Sequence, residues 1–155
     1  LCRALAAAAE VDGLGQWIGF DHDEPIGLQM LQPPHGPSQP QVPGEADLGY
    51  RLPQRHWRRG YASEGARELV RHGFEDLDLT RIFAQTMAVN EPSRATMASV
   101  GMMLVRSFTE EYDVPIPGHE QGEVEYEITQ KRWRSEFERR DLHTASPTNT
   151  PSTND

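Results

Sequence analysis

Apolar residues recur at helical spacing from Ala62 onward, at Ala66, Leu69, Val70, Gly73, Phe74 and Leu77, while Ser63, Glu64, Arg67, Glu68, Arg71 and Glu75 fill the other face. The spacing predicts a helix beginning near Tyr61 or Ala62. Before it, Asp47 to Leu52 alternates as a strand with Leu48, Tyr50 and Leu52 on one side, and Pro53 stops it. Thr80 to Val89 predicts a second strand, apolar on both alternating faces as a buried central strand is. Asn90-Glu91-Pro92-Ser93-Arg94 then opens a short helix that runs through Ala95, Met97, Ala98 and Val100 and stops at Gly101. Two more strands follow, Leu104 to Thr109 and Gly122 to Ile128. In the second, Val124, Tyr126 and Ile128 share a face, and the two are expected to pair as an antiparallel edge of the sheet.

Upstream, Leu1 to Val11 reads as the last turns of a helix closed by Asp12-Gly13. Trp17 to Phe20 and Ile26 to Leu31 predict a hairpin across the charged turn His22-Asp23-Glu24-Pro25. Residues 32–45, rich in Pro, Gly, Gln and Ser, predict a mobile loop. The proline-rich connection Tyr112 to Gly118 reads either as a lip over a cleft or, more commonly for such stretches, as an ordinary surface loop. Lys131 to Arg140 is a basic exit segment, and residues 141–155 read as a disordered tail. No internal repeat appears. Residues 1–140 therefore read as one domain.

Charge and cysteine content narrow the function. Asp+Glu number 24 against 15 Lys+Arg, a formal net charge of -9 that argues against nucleic acid and favours cationic partners. The single cysteine, Cys2, allows no internal disulfide, and the six histidines stand at no ligand-like spacing, so no metal is expected and the histidines read as surface residues. Leu1 to Glu10 is too short to span a bilayer and lacks a basic leader, so no membrane association is expected, and the single cysteine fits a reducing, cytoplasmic setting.

The chemistry concentrates at Trp57-Arg58-Arg59-Gly60-Tyr61-Ala62-Ser63-Glu64, a basic turn feeding a helix N-terminus. The first amides of a helix have no intrahelical partners and the helix dipole is positive there, so a phosphate over this turn collects several N–H donors. Gly60 permits close approach, and Arg58 and Arg59 add charge. The same turn also fits capping and solubility alone. A nucleotide-phosphate enzyme of the P-loop kind lacks its G-x-x-x-x-G-K-[ST] pattern here.

The order D-L-G-Y-R-L, W-R-R-G-Y-A-S-E, N-E-P-S-R and a closing V-G-M resembles the GNAT superfamily of acyl-CoA N-acyltransferases, and most of all its ribosomal-protein-type (RimJ/RimL-like) branch. The resemblance covers roughly Trp17 to Trp133 and implies an α/β (α+β) fold, a mixed and mostly antiparallel sheet flanked by helices. In such a fold one more strand and a helix pair normally come first; this sequence is expected to lack that opening, as a fragment, a truncation or with another element in its place. Acetyl-CoA is the implied co-substrate. Its diphosphate would lie on Arg58, Arg59, Gly60, Tyr61, Ala62 and Ser63, and its pantetheine arm would pair with the backbone near Tyr50 and Leu52, with Asn90 bonding the pantetheine amides.

Acetyl transfer to an amine needs a base, and Asp47 stands where related enzymes commonly carry a carboxylate before L-G-Y; Glu123 and Glu125 are the reserves, although their alternation with Val124 and Tyr126 reads as a solvated face. Many GNAT enzymes protonate the departing thiolate with a tyrosine late in the short helix. Here that position is Met97, which leaves Ser93 as donor; Ser93 reads equally well as a residue closing the first helical turn. The implied function is direct acetyl transfer to a primary amine, either a protein N-terminus or a small cationic amine, since Cys2 lies far along the chain from every motif residue. A homodimer is compatible with this reading. The alternative is a non-catalytic acyl-CoA-binding or interaction module.

Overall fold

The computed structural model describes residues 2–11 and 13–144. Seven strands, β1 (Cys2–Val11), β2 (Leu14–Asp21), β3 (Glu24–Gln32), β4 (Glu45–Arg51), β5 (Arg81–Met87), β6 (Met103–Phe108) and β7 (Glu123–Thr129), form one sheet in the order β1-β2-β3-β4-β5-β7-β6. Every neighbouring pair is antiparallel except β4 and β5. Three helices, α1 (Tyr61–Arg71), α2 (Glu91–Ser99) and α3 (Gln130–Thr144), complete the fold, and α1 runs on into a wider π turn, His72–Asp76.

The predicted alternation is what divides the sheet into two faces. Ala46, Leu48, Ile82, Ala84, Val124, Tyr126 and Ile128 point to the helices and form one buried core with Ala66, Leu69, Val70 and Phe74 of the α1 segment and Met97 of α2. The first turns of α3 close that core, with the Trp133 ring 5.6 Å from Phe74. Gly73 lies where the chain passes closest to the sheet: a methyl group there would sit 2.8 Å from Ile82 Cδ1, 3.1 Å from Leu79 Cδ1 and 3.3 Å from Leu31 Cδ2. Gly73→Ala is therefore expected to overpack the core and cost about 1–3 kcal/mol, read as a lowered urea midpoint at unchanged m-value.

Four expectations change. Residues 2–11 form strand β1 rather than the end of a helix: the outer edge of β2 supplies a ladder of backbone partners, which overrides the helix preference of an Ala-rich segment. The exit segment and the first four residues of the expected tail are helical, in α3, while residues 145–155 lie outside the described residues. His56 is buried rather than at the surface, with neither ring nitrogen hydrogen-bonded and Glu24 Oε1 3.4 Å from Nε2. Glu123 and Glu125 are likewise buried, not solvated: Tyr112 donates to Glu123, and Arg81, Arg106 and Gln85 donate to Glu125. Charged side chains reaching across the polar face cover what strand alternation alone would have left in water.

The loop over residues 33–44 lies across that polar face and is pinned to it. Arg106 donates to the Ser38 carbonyl at 2.8 Å, and the Ser38 hydroxyl donates to Glu110.

Candidate active site

Strands β4 and β5 pair over only three residues, Glu45↔Arg81, Ala46↔Ile82 and Asp47↔Phe83. Beyond Asp47 they part, each held by its other neighbour, β4 by β3 as far as Leu28↔Arg51 and β5 by β7 as far as Met87↔Glu123. The gap leaves strand backbone without a partner and opens a cavity of about 750 Å³. Asp47, Tyr50, Gln85, Asn90, Ser93 and Met97 are among its lining residues. The cavity thus brings together Asp47 and Tyr50 from one part of the sequence and Asn90 and Ser93 from another.

Asp47 is largely buried, and that burial pushes its carboxyl up to about 6, against the opposing pull of a hydrogen bond from Gln39 and the nearby His35. A carboxylate of this kind is ionised at neutral pH yet basic enough to take a proton. Glu125, the reserve base, is unsuited to the task. Burial pushes its carboxyl up, but hydrogen bonds from Arg106, Gln85 and Arg81 outweigh burial and hold it below the usual range.

On the helix side of β4 the Tyr50 hydroxyl lies 3.0 Å from both the carbonyl and the Oγ of Ser93. Burial raises the phenol, with Ser93 and Thr96 opposing. The cap of α2 is Asn90, whose side chain accepts from the Ser93 amide at 3.3 Å while its Nδ2 donates to Thr86. The helix-closing role thus falls to the Asn90 side chain, with Ser93 contributing only its amide. Accordingly, Asn90→Ala is expected to cost about 1 kcal/mol of stability and Ser93→Ala clearly less, a difference that thermal melting of the two variants resolves.

The turn ahead of α1 stands apart from this cavity. Gly60 caps the helix in the left-handed region at φ 80, and its carbonyl accepts from the Glu64 amide at 2.9 Å. The amides of Tyr61, Ala62 and Ser63 have no acceptor among the described residues. A Cβ built on Gly60 meets nothing within 4 Å, so the turn is open above these donors. Arg58, itself at φ 60, and Arg59 are exposed beside it. Two side chains there are engaged elsewhere: the Tyr61 hydroxyl donates to Asp21 at 2.5 Å, and Ser63 Oγ pairs with Ser99 Oγ at 3.0 Å. The Leu52 carbonyl accepts from the Trp57 indole at 2.8 Å.

The GNAT acetyltransferase domain family matches residues 1–103. The chain belongs to the GNAT acetyltransferase family. Among the relatives of this GNAT chain is the FsC-acetyl coenzyme A-N(2)-transacetylase of Aspergillus fumigatus, 41% identical over 131 residues that make up 83% of this chain and 56% of the relative. The chain thus spans little more than half of that protein. Solved structures share the fold: the ribosomal-protein-S5-alanine acetyltransferase of Vibrio fischeri, at a TM-score of 0.64 and 17% identity over 79% of this chain and 64% of that one. Mutant forms of the spermidine/spermine N-acetyltransferase SpeG of Vibrio cholerae reach 0.68 at 17% identity over 82% and 73%.

Gln39 and His35, which reach Asp47 from the 33–44 loop, are site residues that sequence reasoning misses. Nothing in a Pro- and Gln-rich stretch singles out one glutamine. None of residues 112–118 is among the residues that line the cavity. Among the described residues no group of three or more His, Cys, Asp or Glu could hold a metal ion, and no helix is long and apolar enough to cross a membrane.

Proposed function

We propose that residues 1–140 act as an acetyl-CoA-dependent N-acetyltransferase domain of the RimJ/RimL-like kind, transferring the acetyl group directly to a small cationic primary amine. The observation that carries this is the placement of a buried, weakly acidic carboxyl, Asp47, on the cavity that parts β4 from β5. The unpaired backbone of the gap and the open amide turn at Gly60 fit an extended thioester arm and its diphosphate, with Arg58 and Arg59 adding charge and Asn90 at the arm's side. Acetyl-CoA, when bound, supplies the activated acyl group.

Asp47 takes the ammonium proton, which frees the nitrogen lone pair for attack; unassisted, an α-ammonium loses it only near pH 8 and a lysine-like one above about pH 10. On the other face of β4, the Tyr50–Ser93 hydroxyl pair is the source of a proton for the departing sulfur. The acidic balance of the chain supports a cationic acceptor.

Incubation with acetyl-CoA and a panel of polyamines, amino-group-bearing metabolites and N-terminal peptides, with release of free thiol followed, tests the reading. Turnover on small amines bears it out, and turnover on peptides alone replaces the acceptor. One observation favours a second reading, a non-catalytic acyl-CoA-binding module: Met97 is buried where a catalytic tyrosine is common. Tight acetyl-CoA binding without turnover on any amine would establish it.

A further inference from the structure

The Gln39 side chain has a fixed orientation. Its Oε1 accepts from the backbone amides of His35 at 2.9 Å and Gly36 at 3.1 Å, so its amide nitrogen is forced to face the sheet. There Nε2 donates to Asp47 Oδ2 at 2.9 Å and to Gln85 Oε1 at 3.1 Å. Asp47 Oδ1 has no hydrogen-bond partner among the described residues, and it is not among the buried polar atoms left unsatisfied. Asp47 lines the cavity, and Oδ1 is its oxygen without a protein partner.

We infer that Gln39 is the positioning residue of the base: it clamps one carboxylate oxygen of Asp47 and so aims the other at the acceptor amine. This rests on the reading of Asp47 as base. It makes the 33–44 loop a working wall of the site, anchored through Ser38 to Arg106 and Glu110. Three groups set the charge balance around Asp47: from the loop, Gln39 and the half-exposed His35, whose Nδ1 is 3.8 Å from Oδ2; from β7, Glu125, whose negative charge opposes ionisation. From β5, Gln85 contributes only the neutral acceptor on the far side of Gln39.

A hydrogen bond donated to a carboxylate favours its charged form, so removing it raises the carboxyl's pKa. Gln39→Met keeps the length of the side chain and deletes the donor. Its acidic limb in the pH profile of kcat/KM is expected to move up by about 0.5–1 pH unit, with kcat about tenfold lower and the KM for acetyl-CoA unchanged. Gln41→Ala, in the same loop but without contact to Asp47, is expected to leave the limb in place. The Asp47 carboxyl titration, followed by carbon-13 NMR in wild type, Gln39→Met and Gln39→Glu, gives a readout independent of turnover. The Gln39→Glu substitution places a like charge beside Asp47 and is expected to shift its titration at least as far upward. An unmoved limb and unmoved titration in either folded variant, with Asp47→Asn inactive, overturns the clamp. Full activity in Asp47→Asn overturns the base assignment, and the clamp with it.

Discussion

Asp47→Asn is expected to lower turnover on amines by about a hundredfold to ten-thousandfold, the span that a positioned base contributes, while leaving acetyl-CoA affinity near wild type. The same substitution is expected to stabilise the protein. Asp47 is buried and its carboxyl is raised to about 6 from an ordinary 3.8, so the folded state binds a proton more readily than the unfolded chain between those values. Stability is then lost as pH rises from below about 4 through about 6, and above that window the ionised carboxylate costs about 3 kcal/mol. An uncharged amide of the same shape escapes that cost. Melting curves at about pH 4.5 and 7.5 check the sign: the advantage of Asp47→Asn grows with pH. A drop in stability at neutral pH, or retained turnover, would remove Asp47 from the mechanism. A site that loses activity and gains stability on one substitution shows that its carboxylate is held against the interest of the fold.

Gly60→Val is expected to weaken binding of coenzyme A by at least about a hundredfold in a calorimetric titration. Two effects combine. A β-branched residue at φ 80 is strained by about 1–2 kcal/mol, which rotates the turn away from its open-amide form. Its side chain also fills the space above the amides of Tyr61, Ala62 and Ser63, where an anion would approach most closely. Glu75→Ala, on the surface of the π turn where Glu75 pairs with Arg71 at 3.0 Å, is the control and is expected to bind normally. Unaltered affinity in folded Gly60→Val would mean that the turn is only a helix cap.

Residue order and period carry much of this architecture into view. The α1 stripe, the β4 alternation and the clean Val124, Tyr126, Ile128 face each report burial against a single partner layer, and periodicity is a record of that burial. The β6–β7 edge pairing follows from the same signal. Residues 2–11 mislead because an Ala-rich stretch has a local preference that a distant sheet edge cancels. Glu123 and Glu125 alternate as a solvated face does, and only the arginines of β5 and β6 show otherwise for Glu125. Asp47 stands out by its place before L-G-Y, but Gln39 and His35, which pull against the effect of its burial, come from the 33–44 loop, and that loop carries no period at all. The pairing of Tyr50 with Ser93 likewise joins residues 43 positions apart, a distance over which neither propensity nor spacing speaks.

The short β4–β5 ladder has a consequence for how the chain comes apart. Strands β1 to β4 pair in sequence order as one group and β5, β7 and β6 form the other, and among the described residues the two groups share only three parallel rungs and the hydrogen bonds from the Thr80 and Arg81 amides to the Gly44 carbonyl. Hydrogen exchange should therefore divide the sheet into two cooperative opening units with a seam at Asp47↔Phe83, joined otherwise by the buried core on the helix side. A ligand that lies along the seam ties one unit to the other, so its dissociation constant enters directly into the free energy of opening. The amides of β5 beyond Phe83, far in sequence from the Gly60 turn, would then slow their exchange in step with occupancy of that turn.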